Sequence, residues 1–185
     1  VLFYGSDDTC FKLAQRVLNE PMRELAKHSV EFRFGCNSVS DATRDFIRAQ
    51  IAEHFPRTHV FDAVQNVQKY PMMRRMFYSA PATAPFTVWF DDDSCFAPDT
   101  VIDSWLPRLL QQLSFNDVVG SIYSTRLEGK QADWIKAQSW YAGKEPPAYV
   151  KFPSGSWWAC RTEILRRFDW PPDTLTHRGV DVMLG

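Results

Sequence analysis

The chain opens on an apolar run, Val1-Leu2-Phe3-Tyr4, that reads as a strand with Gly5-Ser6-Asp7-Asp8 as the turn behind it. From residue 9 to about 28, Phe11, Leu13, Val17, Leu18, Met22, Leu25 and Ala26 recur at helical spacing, and Pro21 predicts a kink or break inside that helix. Residues 30–34 alternate apolar and charged as a strand does, and Gly35-Cys36-Asn37-Ser38 is read as its end. Ser40 or Asp41 then caps a helix carrying Phe46, Ile47 and Ile51, which stops near Pro56. A third short strand is predicted at 59–64. Pro85-Phe86-Thr87-Val88-Trp89-Phe90 is continuously apolar, the pattern of a central strand buried on both faces. Pro98 is read as opening a helix with Val101, Ile102, Trp105, Leu106, Leu109, Leu110 and Leu113, kinked at Pro107, and a further strand follows at 118–123. This alternation of strand and helix predicts an α/β fold: a Rossmann-like, mostly parallel sheet with helices on both faces. Such sheets bind ligands at the carboxyl ends of their strands, so polar residues there become the candidates for function.

Composition narrows the class. The 185 residues suit a single domain, and both ends fall abruptly inside apolar segments, so a trimmed catalytic core is expected. With 45% hydrophobic and 23% charged residues, the chain is a foldable mixture rather than a disordered or fibrous one. No apolar run is long enough to cross a membrane and no signal peptide is legible, so a cytoplasmic location is expected. Lys and Arg number 21 against 22 Asp and Glu, a balance that argues against binding driven by nucleic-acid phosphates. Cys10, Cys36, Cys95 and Cys160 are too scattered for a zinc site and read as free thiols. The aromatic content, 15%, suits either a heavy core or stacking platforms for flat or sugar-like ligands.

The most informative residues are Asp91-Asp92-Asp93, directly after the buried strand. In an extended chain Asp91 and Asp93 share one side and Asp92 faces the other. Two carboxylates about 6 Å apart, at an effective dielectric near 20, repel by roughly 3 kcal/mol, so a positive partner is called for. Mg²⁺ or Mn²⁺, hard cations with oxygen ligands, would suit. The same triplet also fits a solvated acidic turn or a helix N-terminus.

Phe90-Asp91-Asp92-Asp93 followed by Phe96-Ala97-Pro98-Asp99 resembles the DxD segment of GT-A glycosyltransferases of the family-2 type. Pro153-Ser154-Gly155-Ser156-Trp157-Trp158-Ala159-Cys160-Arg161 resembles that family's acceptor-side strand, and Phe168-Asp169-Trp170 with Arg178-Gly179-Val180-Asp181-Val182 resembles its closing pattern. The resemblance runs through nearly the whole chain in order. It implies a GT-A fold over 1–185, with a nucleotide-sugar half at about 1–123 and an acceptor half at about 124–185. It further implies metal-dependent transfer of a sugar from a nucleoside-diphosphate sugar to a saccharide or other acceptor hydroxyl, with inversion. Under it Asp93 holds the cation, Asp91 joins it and touches the ribose or sugar, and Asp92 belongs to the donor pocket. Asp181 is the general base, though a helix N-cap has the same local signature. The family's usual base-reading acidic residue is replaced by Cys36 with Asn37 beside it, and its acidic pair before the last helix is reduced to Val180-Asp181.

Tyr4, Ser6 and Asp7, where the first strand ends, are candidates for the nucleotide pocket, or plain turn residues. Arg74 or Lys69 is placed to meet phosphate oxygens, or to form a solvated basic face, while Met72, Met73 and Met76 read as core filler. Trp157 and Trp158 point to opposite faces of a strand, one into the core and the other toward an acceptor sugar. His177 assists the acceptor or is an exposed loop histidine. The segment 125–147, with Trp134, Trp140 and Tyr141, has helical spacing and is expected to form part of the acceptor wall. Two competing functions share these features. A sugar-nucleotide nucleotidyltransferase would show a glycine-rich basic signature, which Gly5-Ser6-Asp7-Asp8 lacks. An inactive carbohydrate-binding module would have no need to keep three adjacent aspartates.

Overall fold

The first strand, β1 (Leu2–Tyr4), lies beside β2 (Phe32–Asn37), and β2 lies beside β3 (Thr58–Ala63), all parallel. A second sheet holds β4 (Phe86–Phe90), β5 (Val118–Arg126) and β6 (Tyr149–Arg161), with β6 in the middle and antiparallel to both neighbours. This computed structural model describes residues 1–97, 99–127, 129–141, 143, 145–176 and 183, with backbone alone at 154 and 155. One parallel bridge, Leu2 to Asp91, sets the two sheets edge to edge. The strands therefore run in space as β3-β2-β1-β4-β6-β5. The predicted α/β class holds, and the mostly parallel sheet holds for the first three strands. It fails for the second sheet, because β6 returns between β4 and β5 against their direction.

Helices cover both faces, as the alternation of apolar side chains requires. On one face Phe3, Phe34 and Cys36 pack with Cys10, Ala14 and Val17 of α1 (Asp8–Val17), Ile47 of α3 (Asp41–His54) and Ile102 of α5 (Ile102–Phe115). On the other, Leu2, Trp89, Trp158 and Cys160 pack with Met72, Met73, Met76 and Phe77 of α4 (Lys69–Tyr78) and Leu165 of α7 (Thr162–Arg167). Between α1 and the short α2 (Arg23–Leu25), the helix widens into a π-turn, Leu18–Met22, around Pro21. Proline has no N–H to donate and its ring crowds the preceding turn, so the predicted kink appears as this local widening. Ser40 caps α3 as expected, its Oγ accepting from Thr43 N at 3.2 Å.

Two local expectations, at residues 35–37 and at Pro98, need correction. The strand read at 30–34 runs on through Gly35, Cys36 and Asn37, so these three belong to β2 and not to the turn behind it. A Cβ on Gly35 would lie 2.5 Å from Met76 Sδ, so the glycine lets α4 pack directly on the strand. Residues 69–78, read for their charges and methionines, are a helix with a buried face of Tyr70, Met72, Met73, Met76 and Phe77. The helix placed after Pro98 begins at Ile102, and residue 98 itself lies outside the described residues. In the segment 125–147 the structure has α6 (Lys130–Lys136), near which the rings of Trp134, Trp140 and Tyr141 meet in edge contacts. Among the described residues no helix is long and apolar enough to cross a membrane.

Candidate functional site

The strand order determines where a ligand can enter. From β1 the chain winds outward to β2 and β3, then crosses back through α4 to place β4 on the other side of β1. α1 and α3 lie on one face and α4 on the opposite one. The gap outside the carboxyl ends of β1 and β4 is therefore a topological switch point, the place where open α/β sheets bind ligands. A cleft of about 230 Å³ lies there, lined by Leu2 and Tyr4 of β1, Asn37 of β2 and the three aspartates behind β4. Asn66, Gln68 and Lys69, at the entry to α4, form its remaining wall.

Asp91, Asp92 and Asp93 all face this cleft, against the alternation expected of an extended chain. The strand ends at Phe90, and Ser94 N donates to Asp91 O at 3.0 Å, closing a turn over 91–94. The turn is pinned to β6, where Ser156 O accepts from both Asp91 N and Ser94 Oγ. The positive partner that the carboxylate repulsion demands is, for Asp91, a side chain: Lys69 Nζ lies 3.0 Å from both of its oxygens. Trp89 Nε1 also donates to Asp91 Oδ1 at 2.9 Å. Burial nevertheless leaves the Asp91 carboxyl above its ordinary range, with Lys69 and Trp89 opposing the shift. Asp92 Oδ2 accepts from Tyr4 N at 3.3 Å. Burial first, then the charges of Asp91 and Asp93, push the Asp92 carboxyl up to about 6.

The opposite wall is built by amides. Asn37, fully buried, spends its side chain on the loop before α4: Nδ2 donates to Asn66 Oδ1 and Gln68 O, and Oδ1 accepts from Val67 N. Asn66 also accepts from Gln68 N at 2.8 Å and donates to the Tyr4 hydroxyl at 3.2 Å. These bonds hold Gln68 at φ 72°, ψ 165°, a conformation almost reserved for glycine and costing about 1–3 kcal/mol. Tyr4 remains 55% exposed at the mouth of the cleft.

Several expected site residues lie elsewhere. Asp7 caps α1, its Oδ1 accepting from Cys10 N at 3.1 Å, and neither it nor the exposed Ser6 lines the cleft. Arg74 faces away from the cleft and binds the arm after α7, donating to Asp169 O and Pro171 O and pairing with the Asp169 carboxylate at 3.0 Å. Lys69, weighed beside Arg74 in the sequence, is the basic group in the cleft. Trp158 is fully buried between Trp89 and Trp170 and is closed to any sugar. Trp157, on the other face, packs edge-on against Trp105 and does not line the cleft. His177 and Asp181 lie outside the described residues; the last described residue before them, Thr176, accepts through its O from Tyr70 N, next to Lys69. Asn66 and Gln68 were missed; their signal was an Asn-x-Gln-Lys run between a strand and an apolar helical repeat.

Among the described residues, no group of three His, Cys, Asp or Glu side chains is placed to hold a metal ion. A magnesium-like ion that reads a phosphate needs no such cage, since one or two carboxylates with the phosphate oxygens suffice. Asp92 and Asp93 suit that role, for neither has a cationic side chain bound to it among the described residues. Asp91, expected as a ligand, is held by Lys69 and Trp89 instead. Comparison of the chain with models of protein families, with curated proteins and with solved structures finds no match.

Proposed function

We propose that this chain is the catalytic core of a GT-A-like glycosyltransferase, which moves a sugar from a nucleoside diphosphate to an acceptor hydroxyl. The observation that carries this reading is the cleft at the β1/β4 switch point. There one exposed aromatic residue, one ammonium and three carboxylates face the same 230 Å³. That set matches a ligand with a flat base at one end and a diphosphate at the other. Tyr4 offers its ring to the base, and Asn37 keeps the wall in place through the 66–68 loop rather than touching the base itself. Lys69 is the group for phosphate oxygens. Asp93, with Asp92, would hold Mn²⁺ or Mg²⁺, which would offset the charge gathering on the departing diphosphate. Asp91, paired with Lys69 in the cleft wall, is the carboxylate for the ribose or sugar hydroxyls.

The acceptor's proton goes to Asp181 in this reading. Its support is the resemblance of Arg178-Gly179-Val180-Asp181-Val182 to the closing pattern of GT-A glycosyltransferases. A base on the face opposite the leaving group gives inversion in a single displacement. Calorimetric titration with each nucleoside diphosphate, with and without Mn²⁺, tests the donor site, and one diphosphate is expected to bind in a Mn²⁺-dependent way. No binding of any of them refutes the reading. Asp181→Asn is expected to leave donor affinity unchanged and to slow turnover per folded molecule by about 10²–10⁴-fold. Near-normal turnover, or a product that retains the donor's anomeric configuration, would overturn Asp181 as the base.

A further inference from the structure

We propose that Lys69 is the resident cation of this cleft: it neutralises Asp91 until a diphosphate enters, so that a divalent cation and a diphosphate are taken up together rather than the cation first. The inference rests on the reading of the cleft as a diphosphate site. Lys69 Nζ lies 3.0 Å from both Asp91 oxygens, and the two side chains are 25% and 20% exposed, so the pair is shielded from bulk water. Of the described residues lining the cleft, Lys69 is the one cation against Asp91, Asp92 and Asp93, which leaves them a formal charge of −2. A diphosphate arriving alone meets that net negative charge. A divalent cation arriving alone finds one of the three carboxylates already satisfied.

When both arrive, the phosphate oxygens compete for the ammonium and the cation compensates the carboxylates that it leaves. Lysine suits such an exchange because its charge is a point on a flexible stem, able to turn from one oxygen to another without moving the backbone. That backbone is fixed, since residue 69 opens α4 directly behind the constrained Gln68. Trp89 Nε1 remains on Asp91 Oδ1, so the carboxylate keeps one hydrogen bond while the ammonium is away.

The whole chain is titrated with Tb³⁺, read by tryptophan-excited luminescence, and with Mn²⁺ by calorimetry. Both are done with and without the nucleoside diphosphate that binds, comparing wild type with Lys69→Gln and Lys69→Arg. Lys69→Gln is expected to bind either cation alone at least about tenfold more tightly than wild type, because the cleft becomes more negative and Asp91 is released. In the wild type the diphosphate is expected to raise Mn²⁺ affinity by at least about tenfold, a coupling that Lys69→Gln reduces and Lys69→Arg retains. Asp91→Asn supplies an independent arm: with its partner gone, Lys69 is expected to bind inorganic pyrophosphate more tightly in the absence of any cation. Cation affinity in Lys69→Gln equal to or below that of wild type overturns the proposal. If that variant does not fold, unchanged or weaker cation-free pyrophosphate binding by Asp91→Asn overturns it. A wild type that binds no nucleoside diphosphate under any condition refutes the diphosphate site itself, whereas binding with a coupling indifferent to Lys69→Gln refutes only the role of Lys69.

Discussion

Replacing Asp92 by asparagine is expected to make the protein more stable at neutral pH, and only there. The carboxyl is half-buried behind the turn at 91–94, it accepts from Tyr4 N, and its ionised form faces Asp91 and Asp93. Its proton is therefore held up to about pH 6 in the folded chain, against about 3.9 when unfolded. The sign follows. An acid whose folded pKa is raised favours folding where it is protonated, so ionisation removes stability progressively from about pH 4 to above pH 6. A shift of about two units corresponds to at most about 2.7 kcal/mol. The group is only partly removed from water, and screening reduces this to about 1 kcal/mol. Asparagine keeps an oxygen for Tyr4 N and carries no charge. Thermal unfolding of both proteins should give the variant a Tm about 2–4 °C higher at pH 7.5, the shift expected from about 1 kcal/mol in a chain of this size. The gain should vanish toward pH 4.5. A variant less stable than wild type at pH 7.5, or a difference independent of pH, would refute the claim that Asp92 is an uncompensated charge. The claim matters for function, because groups that cost stability are those kept for chemistry.

Other expected outcomes follow from the same geometry. Asn37→Ala leaves Val67 N and Gln68 O without their buried partner and should cost about 2–4 kcal/mol in urea unfolding, together with a loss of nucleoside-diphosphate affinity in calorimetry. Gly35→Ala forces Met76 and Leu2 aside and should destabilise by about 1–3 kcal/mol, with a lowered urea midpoint as the measure. Gln68→Gly relieves its left-handed backbone and should raise Tm, provided the loop stays clamped by Asn37. Trp158→Ala should cost about 3–5 kcal/mol by equilibrium denaturation, as a core residue does.

Much of the fold up to β4 was legible in the sequence. The apolar strand before Asp91, the Ser40 cap of α3 and the disturbance at Pro21 are local signals, and local chemistry produced them. Other features depend on partners distant in the chain. That Asp92 joins Asp91 and Asp93 depends on the turn closed by Ser94 and tied to Ser156, some sixty residues on. That Lys69 enters the cleft while Arg74 leaves it depends on α4, whose apolar repeat was present in Tyr70, Met73, Met76 and Phe77 but obscured by Pro71. A proline in the first turn of a helix removes no bond the helix needs, so Pro71 marks a beginning rather than an interruption. The direction of β6 leaves no local trace at all. A strand buried on both faces has the same pattern in either sense, and Trp157 and Trp158 give no sign of which neighbours they face.

The reversed strand β6 has a bearing on how the chain acquires its structure. β4 is complete by residue 90 and β5 by residue 126, yet they share no edge; what joins them to each other is β6, whose residues begin at 149. Before β6 arrives, β4 has only the Leu2–Asp91 bridge, and its apolar side chains Trp89 and Phe90 lack the strand that flanks them. The parallel unit β1-β2-β3 draws only on residues 2–63 and can pair first, whereas β4–β6 contacts span some seventy residues. Closing so long a loop is slow, so β6 is expected to be the last strand to pair, entering between β4 and β5. During that interval the open edges of β4 and β5 are sites for pairing with another chain, and aggregation on refolding should be strongest in chains that stop before residue 149.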